Sequence, residues 1–218
     1  MNITVLDGYT LNPGDLSWDG IAALGHLTVY DRTPASLTLN RAMDSEIVIT
    51  NKTVLDADTI AALPRLRYIG VLATGYNVVD TRAAAERGIV VTNIPSYSTQ
   101  SVAQMAMAHL LAITERVEHY TDENRQGKWS SSPDFCYTDT PLHELAGKQM
   151  GVVGFGHTGS ATAAVAAALG MKIAVSTSRP QEALPEGYLK MGLDELFSTS
   201  DVVSLHCPLT PDTHNLVN

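Results

Sequence analysis

Along the first half of the chain, short apolar runs alternate with stretches whose apolar residues recur at helical spacing. ITVLD (3–7), HLTVYD (26–31), EIVIT (46–50), LRYIGVLAT (66–74) and IVVTN (89–93) read as strands. Between them, SWDGIAALG (17–25), ASLTLNRAM (35–43), DADTIAALP (56–64) and TRAAAERG (81–88) read as helices. Ser17 offers an N-cap to the first, and Pro64 and Gly88 stop the last two. Strands that are apolar throughout and separated by helices predict a parallel sheet covered on both faces.

The rhythm changes after Asn93. In IPSYSTQSVAQMAMAHLLAITERVEHY, the residues Val102, Met105, Leu110, Ile113 and Val117 predict one long helix from about Ser101 to Tyr120. The next stretch, QGKWSSSPDFCYTDTPLHELAGK, is rich in Ser, Pro, Gly and aromatics, and reads as an irregular arm. Then the β/α alternation restarts. QMGVVG, MKIAVS and DVVSLH read as strands, and SATAAVAAALG and LDELFSTS as helices. A boundary near Pro95–Thr99 divides the chain into domains 1–98 and 99–218. No repeat of fixed period and no low-complexity tract interrupts this plan.

The segment GVVGFGHTGS carries Gly154, Gly156 and Gly159 in the spacing G-x-G-x-x-G. The spacing alone is weak evidence, because glycine is common in turns. Here it follows a predicted strand, opens a predicted helix, and precedes a second strand near Met171, which is the layout of a dinucleotide fingerprint. Gly154 permits the tight turn, Gly156 lets a pyrophosphate approach the backbone, and Gly159 lets the helix pack on the strand. The helix N-terminus then presents N–H groups and partial positive charge to the phosphates. The six alanines of SATAAVAAALG suit close packing on a sheet, and also favour the helix itself. A ligand-free βα turn is the plainer alternative.

An acid that binds the ribose hydroxyls is due about 20 residues after such a loop. At that place the chain reads Thr177-Ser178-Arg179. Hydroxyls followed by a guanidinium suit a 2′-phosphate, so NADP is favoured slightly over NAD. A solvated loop arginine is the alternative.

Composition narrows the remaining classes. The chain has 14 Lys+Arg against 23 Asp+Glu, a net charge of −9, and no basic cluster, which disfavours nucleic acid and anionic membrane as partners. No apolar stretch approaches the roughly 18–20 residues of a membrane span, and MNITVLDGY does not read as a signal peptide. Two cysteines, Cys136 and Cys207, form no disulfide framework, so a cytoplasmic protein is expected. No H-E-x-x-H and no G-x-S-x-G occurs, and the seven histidines show no metal spacing. His206-Cys207 is not read as a catalytic pair, because neighbours on a strand face opposite ways.

Three blocks together, VLATGYNVVDTRAAAERGIVVTNIPSYSTQSVAQ, HELAGKQMGVVGFGHTG and DVVSLHCPLTPDTHNLVN, resemble the D-isomer-specific 2-hydroxyacid dehydrogenases. GKWSSSPDFCY with SYSTQSVAQM is most similar to the hydroxypyruvate reductase (glycerate dehydrogenase) branch. The resemblance implies a flavodoxin-like substrate domain, then a Rossmann-type coenzyme domain, with the active cleft between them. It implies a homodimer made through the long helix and the arm around Trp129. It matches Gly75 and Tyr76 to a turn whose N–H groups hold a substrate carboxylate. His157 and Thr158 match backbone that meets the pyrophosphate, and Thr177, Ser178 and Arg179 match the ribose site. Cys207, Pro208 and Thr213 match residues lining the adenosine and ribose side. Gln104 stands where many relatives carry Glu.

The resemblance also implies a longer protein, so the Rossmann domain is expected to be incomplete here. The family's substrate Arg, its Glu and its proton-moving His match nothing in these residues, so no catalytic residue is expected among them. Strands QMGVV and DVVSLH still form both walls of the switch-point crevice. With DVVSLH at an edge, a dimer, a swapped assembly or association with a missing half is expected. The reaction implied is hydride transfer between NAD(P)H and a small 2-keto acid, hydroxypyruvate or glyoxylate going to D-glycerate or glycolate. A dinucleotide-binding module without catalysis is the alternative. A nucleoside hydrolase using bound NAD, or a methyl transferase, is disfavoured by GYNVVD and PLTPDT.

Overall fold

The structure is a computed structural model, and it describes residues 1–217. The chain divides into two compact units, Met1–Tyr97 and Ser98–Asn218.

Unit 1 is built on five parallel strands, β1 (Asn2–Val5), β2 (His26–Val29), β3 (Ile47–Thr50), β4 (Tyr68–Val71) and β5 (Val90–Thr92). Their order, β2-β1-β3-β4-β5, is that of a flavodoxin-like sheet. Helices α1 (Asp19–Ala22), α2 (Ala35–Ala42), α3 (Ala57–Ala62) and α4 (Thr81–Glu86) make the crossovers. Pleat alternation divides the core. Ile3, Val5 and Ile49 pack to one face with Trp18 and Ile21. Leu6, Val48, Ile69 and Val71 pack to the other with Ile60, Leu63 and Ala84. Side-chain caps fix two helix starts, Asp56 accepting from the Thr59 N–H at 2.8 Å and Asp80 from the Ala83 N–H at 2.9 Å.

Unit 2 opens with α5 (Thr99–Glu115) and α6 (Val117–Arg125). This corrects the single helix expected over 101–120. Arg116 takes a left-handed conformation, φ 51° and ψ 39°, and ends one helix while starting the next. The apolar spacing runs smoothly through that break, so periodicity could not reveal it. The arm, residues 126–148, has no strand or helix. A four-stranded parallel sheet follows, in the order β8-β7-β6-β9. Its strands are β6 (Gln149–Val153), β7 (Lys172–Ser176), β8 (Leu189–Lys190) and β9 (Val202–Leu205). The two-residue β8 was not expected, because so short a strand carries no pattern. Helices α7 (His157–Ala168) and α8 (Leu193–Thr199) complete the unit. On one face α5 and α7 cover Met150, Val152, Ile173 and Val175. On the other, Leu196 of α8 packs on Val153 and Ala174. This is the Rossmann arrangement, with β6 as first strand and β9 across the switch point. Among the described residues, no helix is long and apolar enough to cross a membrane.

Candidate functional site

Parallel sheets bind ligands at the carboxyl ends of their strands, and each unit has an open cradle there.

In unit 2 the cradle is the loop between β6 and α7. Its three glycines differ physically. Gly154 has φ +90°, and a Cβ on it would lie 2.7 Å from the backbone of His206 and Cys207. Gly159 is buried, and a Cβ there would collide with the Gly154 carbonyl oxygen. These two are required by folding. A Cβ at Gly156 would meet no atom within 4 Å, and its φ of −83° is open to any residue. The backbone at Gly156 is therefore open to solvent. Gly156 is also the N-cap of α7, which begins at His157, not at Ser160 as the alanine-rich stretch suggested. No side chain caps that helix. Its first N–H groups, around the exposed Gly156 and His157 and the half-buried Thr158, are left without a capping side chain, as anion-binding helix starts are.

The ribose corner lies past β7. Thr177 accepts the Arg179 N–H at 3.2 Å, bending the chain so that Ser178 and Arg179 are exposed. The Arg179 guanidinium lies 5.8 Å from the centroid of the Phe155 ring, and that buried ring meets Tyr188 edge-on at 6.1 Å. Lys190, which the sequence reading missed, donates to the Arg179 carbonyl at 2.7 Å. Gln181 holds β8 in place, donating to the Tyr188 carbonyl and accepting from the Lys190 N–H. Two exposed cations, Arg179 and Lys190, therefore stand at the end of β7. A lone lysine in GYLKMG gave no signal, since only the β7–β8 pairing brings it there.

Beyond β9, His206 donates its N–H to the Val153 carbonyl at 2.7 Å, which draws residues 206–207 against Gly154. Cys207 is half-buried beside Val153 and Leu196. The His206 ring pairs with the Ser204 hydroxyl at 2.8 Å, and burial pushes its pKa below the ordinary imidazole value. It makes no pair with the thiol. The Thr213 hydroxyl donates to the Pro208 carbonyl at 2.6 Å and accepts the Thr210 N–H at 2.7 Å, so it shapes the loop 208–213 from within. Glycine loop, Cys207 and Pro208 thus sit together at the carboxyl ends of β6 and β9.

In unit 1 the cradle is the turn after β4. Thr74, Gly75, Tyr76 and Asn77 are exposed. The Asn93 amide donates to the Thr74 carbonyl at 2.8 Å, and the Val79 N–H to the Tyr76 carbonyl at 3.0 Å. The N–H groups of Gly75 and Tyr76 donate to nothing among the described residues. Two free amides on a fixed turn suit a carboxylate. Tyr76 and Asn93 also border a cavity of about 350 Å³.

One polar cluster lies apart. His119, Glu123 and Asp139 bring their ligating atoms within 4.8 Å of one another. The Lys128 ammonium already bridges the two carboxylates, at 2.7 Å to Glu123 and 2.5 Å to Asp139. Lys128 first, then His119, holds the Asp139 carboxyl well below the usual carboxylate range. The cluster pins the arm to α6.

Fold and cradles together define an α/β nucleotide-binding protein of the dehydrogenase kind. Residues 107–218 match the family described as "D-isomer specific 2-hydroxyacid dehydrogenase, NAD binding domain". The whole chain is 51% identical to the hydroxypyruvate reductase of Blautia hydrogenotrophica and spans 69% of that protein. Among solved structures it is similar to the D-lactate dehydrogenase of Aquifex aeolicus complexed with NAD and lactic acid. The TM-score there is 0.78 at 29% identity, over all of this chain and 64% of that one. An acyclic imino acid reductase in complex with NADPH and D-Arg gives a TM-score of 0.78 at 28% identity, over 98% of this chain and 67% of that one. The chain belongs to the D-isomer-specific 2-hydroxyacid dehydrogenases, and its second unit is their nicotinamide-dinucleotide domain.

Proposed function

We propose that the protein transfers a hydride between NAD(P)H and a small 2-keto acid, reducing hydroxypyruvate or glyoxylate to D-glycerate or glycolate. The observation that carries this is the glycine loop. Two of its glycines are needed to fold it, and the third keeps open a space that folding does not use. The 51% identity to a hydroxypyruvate reductase supports the substrate class.

In this reading Gly154, Gly156, His157, Thr158 and Gly159 cradle the pyrophosphate. Thr177, Ser178 and Arg179 hold the ribose, with Lys190 beside them. Cys207, Pro208 and Thr213 line the opposite wall. Gly75 and Tyr76 donate two backbone hydrogen bonds to the substrate carboxylate, fixing the keto carbon for attack. The dihydronicotinamide supplies the hydride. With two exposed cations and no acid at the ribose corner, NADP binds at least as well as NAD. No proton donor is assigned within residues 1–217. His157 heads α7, and His206 is bonded to Ser204. Residues 1–218 by themselves are therefore expected to bind the dinucleotide without turnover. Val102, Met105, Ile113, Trp129 and Phe135 are exposed apolar residues on α5 and the arm, and they favour a homodimer through that surface.

The test has two steps. NADH and NADPH are titrated into the chain by nucleotide fluorescence, with Arg179→Ala as control. Hydroxypyruvate and glyoxylate reduction is then followed by loss of NAD(P)H absorbance in the complete gene product. Binding with turnover is expected. Binding without turnover in the complete product would favour the non-catalytic module, and absence of dinucleotide binding would overturn the reading.

A further inference from the structure

Unit 1 buries one carboxylate to which the reading above gives no task. Asp7 follows β1 at the carboxyl edge of the sheet and is only 4% exposed. No cationic side chain pairs with it among the described residues. Instead it gathers three consecutive backbone amides of the loop after β3. Oδ1 accepts from the Asn51 N–H at 2.9 Å, and Oδ2 accepts from the Lys52 and Thr53 N–H groups at 2.5 and 2.9 Å. A buried carboxylate is tolerated only when such hydrogen bonds replace its lost hydration. A loop whose successive amides converge on one point has little freedom left.

The same loop is tied on every other side. The Thr50 hydroxyl donates to the Thr53 carbonyl at 2.9 Å. The Asn51 side chain donates to the Thr10 hydroxyl at 3.0 Å, and that hydroxyl donates to the Asp7 carbonyl at 2.8 Å. On its far side the loop joins the turn that carries Gly75 and Tyr76. The Leu55 N–H donates to the Val78 carbonyl at 2.8 Å, and the Asp80 N–H to the Leu55 carbonyl at 3.0 Å. Leu55 and Val79 form a parallel bridge there, and both are buried. Hydrogen bonds at residues 51–53 and at Leu55, joined by the backbone through Val54, therefore link Asp7 to the segment following the two free amides.

We propose that Asp7 is a positioning residue for substrate: by fixing loop 51–55 it holds the Gly75–Tyr76 turn in the shape that receives a carboxylate. The proposal rests on the reading of that turn as the carboxylate site. Asp7→Asn is nearly isosteric, but it sets an amide N–H₂ where N–H donors now converge, so at least one of the three bonds is lost.

The experiment uses the complete gene product. In Asp7→Asn, KM for hydroxypyruvate is expected to rise about tenfold, the equivalent of one lost charge-assisted hydrogen bond. The affinity for NAD(P)H stays unchanged, and so does kcat at saturating substrate. Hydrogen exchange at the Leu55, Val79 and Asp80 amides should quicken together in the variant. A fall in melting temperature with KM and these amides unaltered would mean that Asp7 serves folding alone, and would overturn the proposal. Tyr76→Pro, which deletes one of the turn's own N–H groups, separates the two layers. If it leaves KM unchanged, the turn is not the carboxylate site and the underlying reading fails. If it raises KM while Asp7→Asn does not, only the role of Asp7 fails. Should Asp7→Asn not fold, Asp7→Glu takes its place, since it keeps the charge but moves the carboxylate off the three amides. A KM rise of about threefold is then expected, and an unchanged KM overturns the proposal.

Discussion

At the scale of single residues, the glycines of the loop separate folding from binding. Gly159→Ala forces a methyl group against the Gly154 carbonyl, and overpacking of this kind costs about 1–3 kcal/mol. Gly156→Val adds more bulk, but its Cβ would meet no protein atom within 4 Å. The expected outcome is a melting temperature close to wild type for Gly156→Val with nucleotide fluorescence titration lost. Gly159→Ala should show a clear drop in melting temperature. Loss of stability in both variants would mean that Gly156 is also a packing glycine. The spacing assigned each of the three a role, but which atoms enforce it needed the fold: His206 and Cys207, far along the chain, are what Gly154 approaches.

At the scale of elements, the strand and helix alternation was legible because each buried strand leaves a continuous apolar run and each crossover helix a periodic one. Two things were not. The break at Arg116 is a backbone event inside an unbroken apolar rhythm, and β8 is too short to have a rhythm at all. Lys190 was missed for the same reason as β8. Thr177-Ser178-Arg179 could be read by position alone, because the second strand after a glycine loop ends at a fixed distance. Arg116 also has a measurable consequence. A left-handed residue with a Cβ costs about 1 kcal/mol relative to glycine, so Arg116→Gly is expected to stabilise unit 2 by roughly 0.5–1 kcal/mol in urea unfolding. A destabilised variant would show that the Arg116 side chain makes up for its backbone.

At the scale of the whole molecule, α5 and the arm carry several exposed apolar residues. Ile113 is 70% exposed, Met105 57% and Phe135 89%. In the proposed reading these residues belong to the homodimer surface. Ile113→Glu is expected to shift the protein from dimer to monomer in sedimentation velocity while leaving dinucleotide affinity within about twofold. A wild-type chain that sediments as a monomer would remove the dimer from the reading.

The molecule carries a net charge of −9, which repels any anionic coenzyme from a distance. Arg179 and Lys190 act against that field at a single exposed corner. In the proposed reading both dinucleotides feel the long-range repulsion, but only NADPH carries a 2′-phosphate for the two cations to meet. Ionic strength therefore separates the contributions. Raising salt from 0.05 to 0.5 M shortens the screening length to a few ångströms. The ratio of NADH to NADPH dissociation constants should fall several-fold over that range, and the double variant Arg179→Ala, Lys190→Met should lose that fall. A ratio indifferent to salt would place coenzyme choice in shape rather than in charge.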